Sequence, residues 1–255
     1  MIPVIILLMH WIATSPGGLS NAYPIGEAED VIETIARVNE GLYNLIQEDI
    51  LPNKNRNAAP CTETGCRWPM TGKNSFVPFT ISDDYNDEQR KMIQDILRDF
   101  NRKTCVQFIE RSSQRDYIQI FSGSGCWSYV GRIGGRQLLS LRKNGCLYTR
   151  VIQHEILHGL GFYHEHSRSD RDESVTINWE NIIDDKERNF DKVNTINYNI
   201  SYDYNSVMQY RNNAFSKNGL PTIVANDDPN RQLGAASSMS DSDYIRVNLL
   251  YQCTV

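Results

Sequence analysis

The sequence has few histidines, no cysteines at C-x-x-C spacing, no long basic run and, past its first residues, no long apolar stretch. Each shortage narrows what the chain can do. Without C-x-x-C pairs, a zinc site built on cysteine is disfavoured. A formal net charge of -5 and a pI of about 5.6 point away from nucleic acid and anionic membranes as partners. No later segment reaches the roughly 20 apolar residues of a membrane-spanning helix. No internal repeat is visible, so the 255 residues make one large domain or two small ones around a substantial core.

The histidines that are present are concentrated. The chain has five; one is His10, and the other four lie between positions 154 and 166. Residues 154 to 168 read His-Glu-Ile-Leu-His-Gly-Leu-Gly-Phe-Tyr-His-Glu-His-Ser-Arg, which is H-E-x-x-H followed by x-x-G-x-x-H. On a helix, His154 and His158 at i and i+4 lie one above the other, so two ring nitrogens can meet one metal ion about 2 Å away. Glu155 stands where this motif places the general base for a metal-activated water. Gly161 can take positive φ and end the helix, turning the chain so that His164 becomes a third ligand. Three protein ligands leave one position open, the pattern of a catalytic rather than a structural zinc site. His166 fits no ligand spacing and reads as a neighbour. A Ser-His-Asp triad would have to borrow a histidine from this cluster.

The first residues, Ile2 to Ala13, are apolar but too short to span a bilayer, and small residues such as Ser20 and Ala22 follow. We read residues 1–20 as a secretory signal peptide. Residues 28 to 49 look helical, with Val31, Ile35, Val38, Leu42 and Leu45 on one face. The polar stretch 52–57 resembles a processing linker, and cleavage after Arg56 fits a trypsin-like activator. The expected organisation is therefore signal peptide 1–20, propeptide 21–56 and a catalytic domain over 57–255. The six cysteines, Cys61, Cys66, Cys105, Cys126, Cys146 and Cys253, suggest three disulfides in a secreted chain, with the pairing left open by sequence alone. Asn199-Ile-Ser201 is a glycosylation sequon.

Phe76 to Ser82, Val106 to Ile109, Tyr117 to Phe121 and Gln137 to Leu141 alternate like strands. Asn86 with Gln89 makes a capping box for a helix running to about Lys103. The second half should be irregular, closed by a helix near Asp241 to Tyr251. Strands followed by a ligand-bearing helix beside a cleft predict an α+β domain.

His154 to Arg168 resembles the astacin signature H-E-x-x-H-x-x-G-x-x-H-E-x-x-R at every fixed position, with Glu165 and Arg168 separating it from other metzincins. Ser206-Val-Met-Gln-Tyr210 is similar to the family's Met-turn, and Gly125 to Gly131 and Gly134 to Gln137 to its stretch ahead of the zinc helix. The resemblance covers about residues 57 to 255, and Cys61 and Cys66 before Trp68 are similar to the six-cysteine hatching-enzyme and nephrosin group. It implies a zincin-like fold of two subdomains flanking an active-site cleft, with a twisted sheet and a zinc-binding helix. It implies one Zn2+ per chain on His154, His158 and His164, with Glu155 and Tyr210 catalytic and Met208 as a packing platform beneath the metal. It further implies the disulfides Cys105–Cys253, Cys126–Cys146 and Cys61–Cys66. In the family, Glu165 binds near the mature amino terminus. The end of the chain just after Cys253 implies a peptidase domain without EGF-like, CUB or MAM modules. Two departures stand out: Gln209 replaces a usual histidine, and Ile46-Gln-Glu-Asp49 replaces the propeptide motif F-x-G-D, leaving Asp49 as the zymogen-switch residue and Glu48 as a second candidate.

The expectation is a secreted, monomeric zinc endopeptidase, of a kind that secretory granules can store, acting on extracellular proteins of egg-envelope or matrix type. The alternative is a catalytically silent secreted zinc-binding protein serving as a matrix or egg-surface binding module.

Overall fold

The computed structural model describes residues 30–52 and 66–254. The expected signal peptide, Arg56 with its linker, and Cys61 lie outside the described residues. A mixed sheet forms the first half. Its strands are β1 (Met70–Thr71), β2 (Asn74–Ile81), β3 (Val106–Glu110), β4 (Tyr117–Phe121), β5 (Cys126–Ser128) and β6 (Arg136–Leu141). The order is β1-β2-β4-β6-β5, with β3 paired to β2. Strands β2, β3, β4 and β6 run parallel, while β1 and β5 pair antiparallel. The alternation in β4 sends Ile118 and Ile120 inward.

Two helices lie against the sheet and touch each other: α2 (Asp87–Lys103) and α3 (Thr149–Leu160). α2 starts where Gln89 N donates to Asn86 Oδ1 at 2.9 Å and Asn86 N to Gln89 Oε1 at 3.1 Å, a reciprocal cap. Its Ile93, Ile96, Leu97 and Phe100 are buried at helical spacing. α3 is buried on all sides from Val151 onward. A helix end in the core needs partners for its last carbonyls. Trp68 Nε1 donates to Gly159 O at 3.0 Å, Tyr251 Oη to Leu160 O at 2.9 Å, and Gly131 N to His158 O at 2.7 Å. Residues from both ends of the domain thus fix the helix that carries the motif.

The second half is irregular, as its composition predicts: short 3-10 turns, the hairpin β7 (Val175–Ile177) with β8 (Ile223–Ala225), and the closing helix α4 (Asp241–Leu250). The disulfide Cys105–Cys253 ties the chain just past α4 to the start of β3, and Cys126–Cys146 joins β5 to the loop before α3. Cys66 is disulfide-bonded.

The helix expected over 28 to 49 is much shorter. Among the described residues of that span only α1 (Val31–Val38) is helical, capped by Asp30, with Val31, Ile32, Ile35 and Val38 buried. An eight-residue helix is not stable alone, so tertiary burial holds it, at about 1.5–3 kcal/mol per aliphatic side chain as an upper figure. The helix stops because the Asn39 side chain turns to bond other chain segments and Gly41 follows at φ 85°. Leu42 and Leu45 continue the periodicity in sequence but not in space. The segment then closes a tight loop through the Ile46–Ile50 bridge, with Gln47 at φ 49° and Glu48 at φ 71°. Left-handed backbone at two non-glycine residues is unusual and is sustained only by strong surroundings.

Candidate metal centre

Gly161 ends α3 at φ 115°, its N–H returning to His158 O at 2.9 Å, and the chain swings back to bring His164 beside the helix. His154 Nε2 lies 3.1 Å from His158 Nε2 and 3.2 Å from His164 Nε2, and all three rings are fully buried. Asp49, from the amino-terminal segment, closes the set. Its Oδ2 lies 3.0 Å from His154 Nε2 and 3.2 Å from His164 Nε2, and its Oδ1 lies 3.5 Å from His158 Nε2. One ligand atom from each of the four residues falls within 4.8 Å of the others.

The far side of each ring is committed. His154 Nδ1 lies 2.9 Å from Val207 O and His158 Nδ1 2.7 Å from Phe162 O, so hydrogen bonding assigns the ring protons to Nδ1. The Nε2 lone pairs of His154 and His158 then face each other across 3.1 Å, which is repulsive unless a cation lies among them. Asp49 Oδ1 and both Glu155 oxygens are buried without hydrogen-bond partners among the described residues. Buried polar atoms are rarely left so. Three imidazoles and a carboxylate are a donor set suited to tetrahedral zinc.

Electrostatics follow from burial. Burial opposes the charge on Asp49, but the imidazoles around it outweigh burial and hold the carboxyl well below its ordinary range. Burial pushes His164 down to about 4 against the pull of Asp49, keeping the neutral form that can ligate a metal. Burial, reinforced by Asp49, raises Glu155 well above an ordinary glutamate.

Met208 and Tyr210 arrive on the turn after Ser206. Asp243 of α4 accepts from Ser206 Oγ at 2.6 Å and from Val207 N at 3.1 Å, which fixes the carbonyl that orients His154. Met208 is buried, and its carbonyl accepts from Glu165 N at 2.9 Å. Tyr210 Oη donates to Gln47 O at 2.9 Å, while Gln47 Oε1 lies 2.8 Å from His164 Nδ1. Gln209 is buried and turned elsewhere: its Oε1 accepts from Tyr202 Oη and its Nε2 donates to Tyr210 O at 2.7 Å. Glu165 is saturated by Arg168, Arg246 and Asp203 N, with Arg246 Nη2 at 2.8 Å and Asp203 N at 2.7 Å.

Sequence reasoning read His166 as a neighbour of the ligands, and did not assign roles to Gln47 and Lys186. His166 is no member of the four-residue group; its ring lies 3.9 Å from that of Tyr210 and its Nε2 2.8 Å from Asn189 O. Gln47 holds both Tyr210 and His164, and Lys186 pairs with Glu48 at 2.7 Å. Of Gln47 and Lys186, Gln47 had a local signal, being next to the Glu48–Asp49 pair.

Comparison with known proteins agrees with this geometry. The peptidase-family profile described as Astacin matches residues 63–252. The low choriolytic enzyme of Oryzias latipes is 42% identical over 231 residues, 89% of this chain and 85% of that protein. High choriolytic enzyme 1 of the same fish is 40% identical over 233 residues, 89% of this chain and 86% of its own. The solved structure of high choriolytic enzyme 1, described as a hatching enzyme zinc-protease, superposes with a TM-score of 0.73 at 42% identity, over 78% of this chain and all of that one.

Proposed function

The chain belongs to the astacin family of zinc endopeptidases, and from that premise we propose that it is secreted as a proenzyme and cleaves extracellular proteins of the egg-envelope or matrix type. The observation that carries this reading is the convergence of His154, His158 and His164 on Asp49 from the amino-terminal segment. His154, His158 and His164 would hold the zinc. Bound there, zinc supplies Lewis acidity towards water and the scissile carbonyl. Glu155 accepts a proton from the attacking water and returns it to the leaving amine. Its carboxylate is free of other hydrogen bonds, and its burial favours taking up that proton. Tyr210 donates to the developing oxyanion once its hydroxyl is released from Gln47 O.

In the latent chain, Asp49 fills the position that water needs, and Gln47 ties down Tyr210. Residues 1–20 are the signal peptide, 21–56 the propeptide and 57–255 the peptidase domain, with a trypsin-like protease cutting after Arg56. The disulfides Cys105–Cys253 and Cys126–Cys146 support passage through an oxidising compartment. The names of the choriolytic relatives support an egg envelope as substrate, and the active species is a monomer.

The test is casein hydrolysis by the domain purified after cutting at Arg56 and removing the amino-terminal fragment. Activity should vanish with a zinc chelator and return with added zinc. A domain freed of that fragment that binds zinc but leaves casein intact would instead be a silent binding module.

A further inference from the structure

Strand β5 is a sheet edge. β6 pairs with it on one side, and the amino-terminal segment satisfies the other. At Cys126 the partner is a side chain: Cys126 N donates to Asn39 Oδ1 at 2.7 Å, and Asn39 Nδ2 donates to Cys126 O at 2.7 Å. A carboxamide here supplies the donor and acceptor that a neighbouring strand's peptide would supply. Two residues on, backbone takes over, with Ser128 N donating to Asp49 O at 3.0 Å and Leu51 N to Ser128 O at 2.8 Å. Asn39 Nδ2 also reaches Glu48 O at 2.8 Å, bracing the loop that presents Asp49.

The receptor surface is shaped for this. A Cβ at Gly125 would fall 2.2 Å from Asn39 Oδ1, and one at Gly145 2.7 Å from Val38 Cγ2. Beside them, α1 buries Val31, Ile32, Ile35 and Val38, with contacts to α3. Charge matches as well: Arg211 Nη1 meets Glu33 Oε2 at 2.5 Å, and Lys186 Nζ meets Glu48 Oε1 at 2.7 Å. None of these contacts uses a side chain of the metal cluster.

We propose that the β5 edge and the α3 face beside Arg211 form a binding surface for residues 30–52 as a separate polypeptide. Cutting the linker then leaves a bound inhibitor, and Asn39 sets how long it stays. The inference rests on the proenzyme reading and adds a second latch beside the Asp49 carboxylate. Activation is complete only when the segment leaves or is itself cleaved.

The experiment places a site for a sequence-specific protease in the linker of the full chain, cuts it, and follows the amino-terminal fragment by size exclusion and mass spectrometry, with zinc and after chelation. The wild-type fragment should co-elute with the domain in both conditions. Asn39→Ala, or Asn39→Asp if the alanine variant folds poorly, should release it about 10- to 100-fold faster. Glu33→Lys should also hasten release. In an Asp49→Ala chain, Asn39→Ala should still hasten release. These substitutions leave the departed domain chemically unchanged. A wild-type fragment that separates on first passage, or equal release from the Asn39 variants, overturns the inference. An uncut chain already as active as the purified domain overturns the proenzyme reading itself.

Discussion

Tyr210 is buried with its hydroxyl committed to a carbonyl 163 positions away in the amino-terminal segment, so its role depends on which groups surround it. Burial first, then the charges of Asp49 and Glu48, raise its phenol well above the usual range, so it remains a hydrogen-bond donor at neutral pH. In the domain freed of its amino-terminal fragment, Tyr210→Phe should lower kcat by about 100-fold with little change in KM, because the lost bond forms mainly in the transition state. Steady-state kinetics on a peptide substrate checks this; unchanged kcat removes Tyr210 from the mechanism. At this scale the motif was legible because i and i+4 spacing and a terminating glycine are local properties of a helix. The partners of Gln209, His166 and Lys186 were not legible, since Tyr202, Asn189 and Glu48 define what they do. The bond to Tyr202 also explains why glutamine is accommodated in the Met-turn.

Among the elements, the turn between β5 and β6 shows how a loop can be fixed by one carboxylate. Asp116 Oδ1 accepts from Gly135 N at 2.7 Å and Oδ2 from Arg132 Nη1 at 2.6 Å. The Gly135 amide foremost, and then Arg132 against the cost of burial, lower the Asp116 carboxyl below its ordinary value. A carboxyl depressed in the folded state adds stability that is present above its unfolded value, near 4, and is lost as pH falls through the folded one. Asp116→Ala should therefore cost about 1–2 kcal/mol at pH 7. The gap from wild type should close as pH falls below about 4. Urea melts at pH 7 and pH 3 measure it, and a gap that widens in acid contradicts the assignment. The start of α2 was readable from Asn86 and Gln89 because a capping box is written in four residues. The end of α1 was not, because Asn39 leaves the helix for Cys126, a partner 87 positions on. Strands β1, β5, β7 and β8 are two or three residues long, too short to carry an alternation.

For the whole molecule, Cys105–Cys253 closes a loop of 148 residues around the metal centre. Loop-closure entropy for so long a loop is about 5 kcal/mol. Replacing both cysteines by alanine should lower the melting temperature by about 10–20 °C for a domain of this size. A calorimetric shift of a degree or two would mean that packing of α4 alone holds the ends together. The α+β class, the ligand-bearing helix and the irregular second half were legible because periodicity and composition change along the chain. The path of the amino-terminal segment across the sheet edge was not, since long-range pairing leaves no local pattern. The proposed chemistry depends on Glu155 acting on water beside a metal that it does not itself hold. The most direct measurement is zinc content together with peptide hydrolysis for Glu155→Gln in the domain freed of its amino-terminal fragment. About one zinc per chain with turnover reduced by 100-fold or more is the predicted result; near wild-type turnover with zinc bound would contradict it.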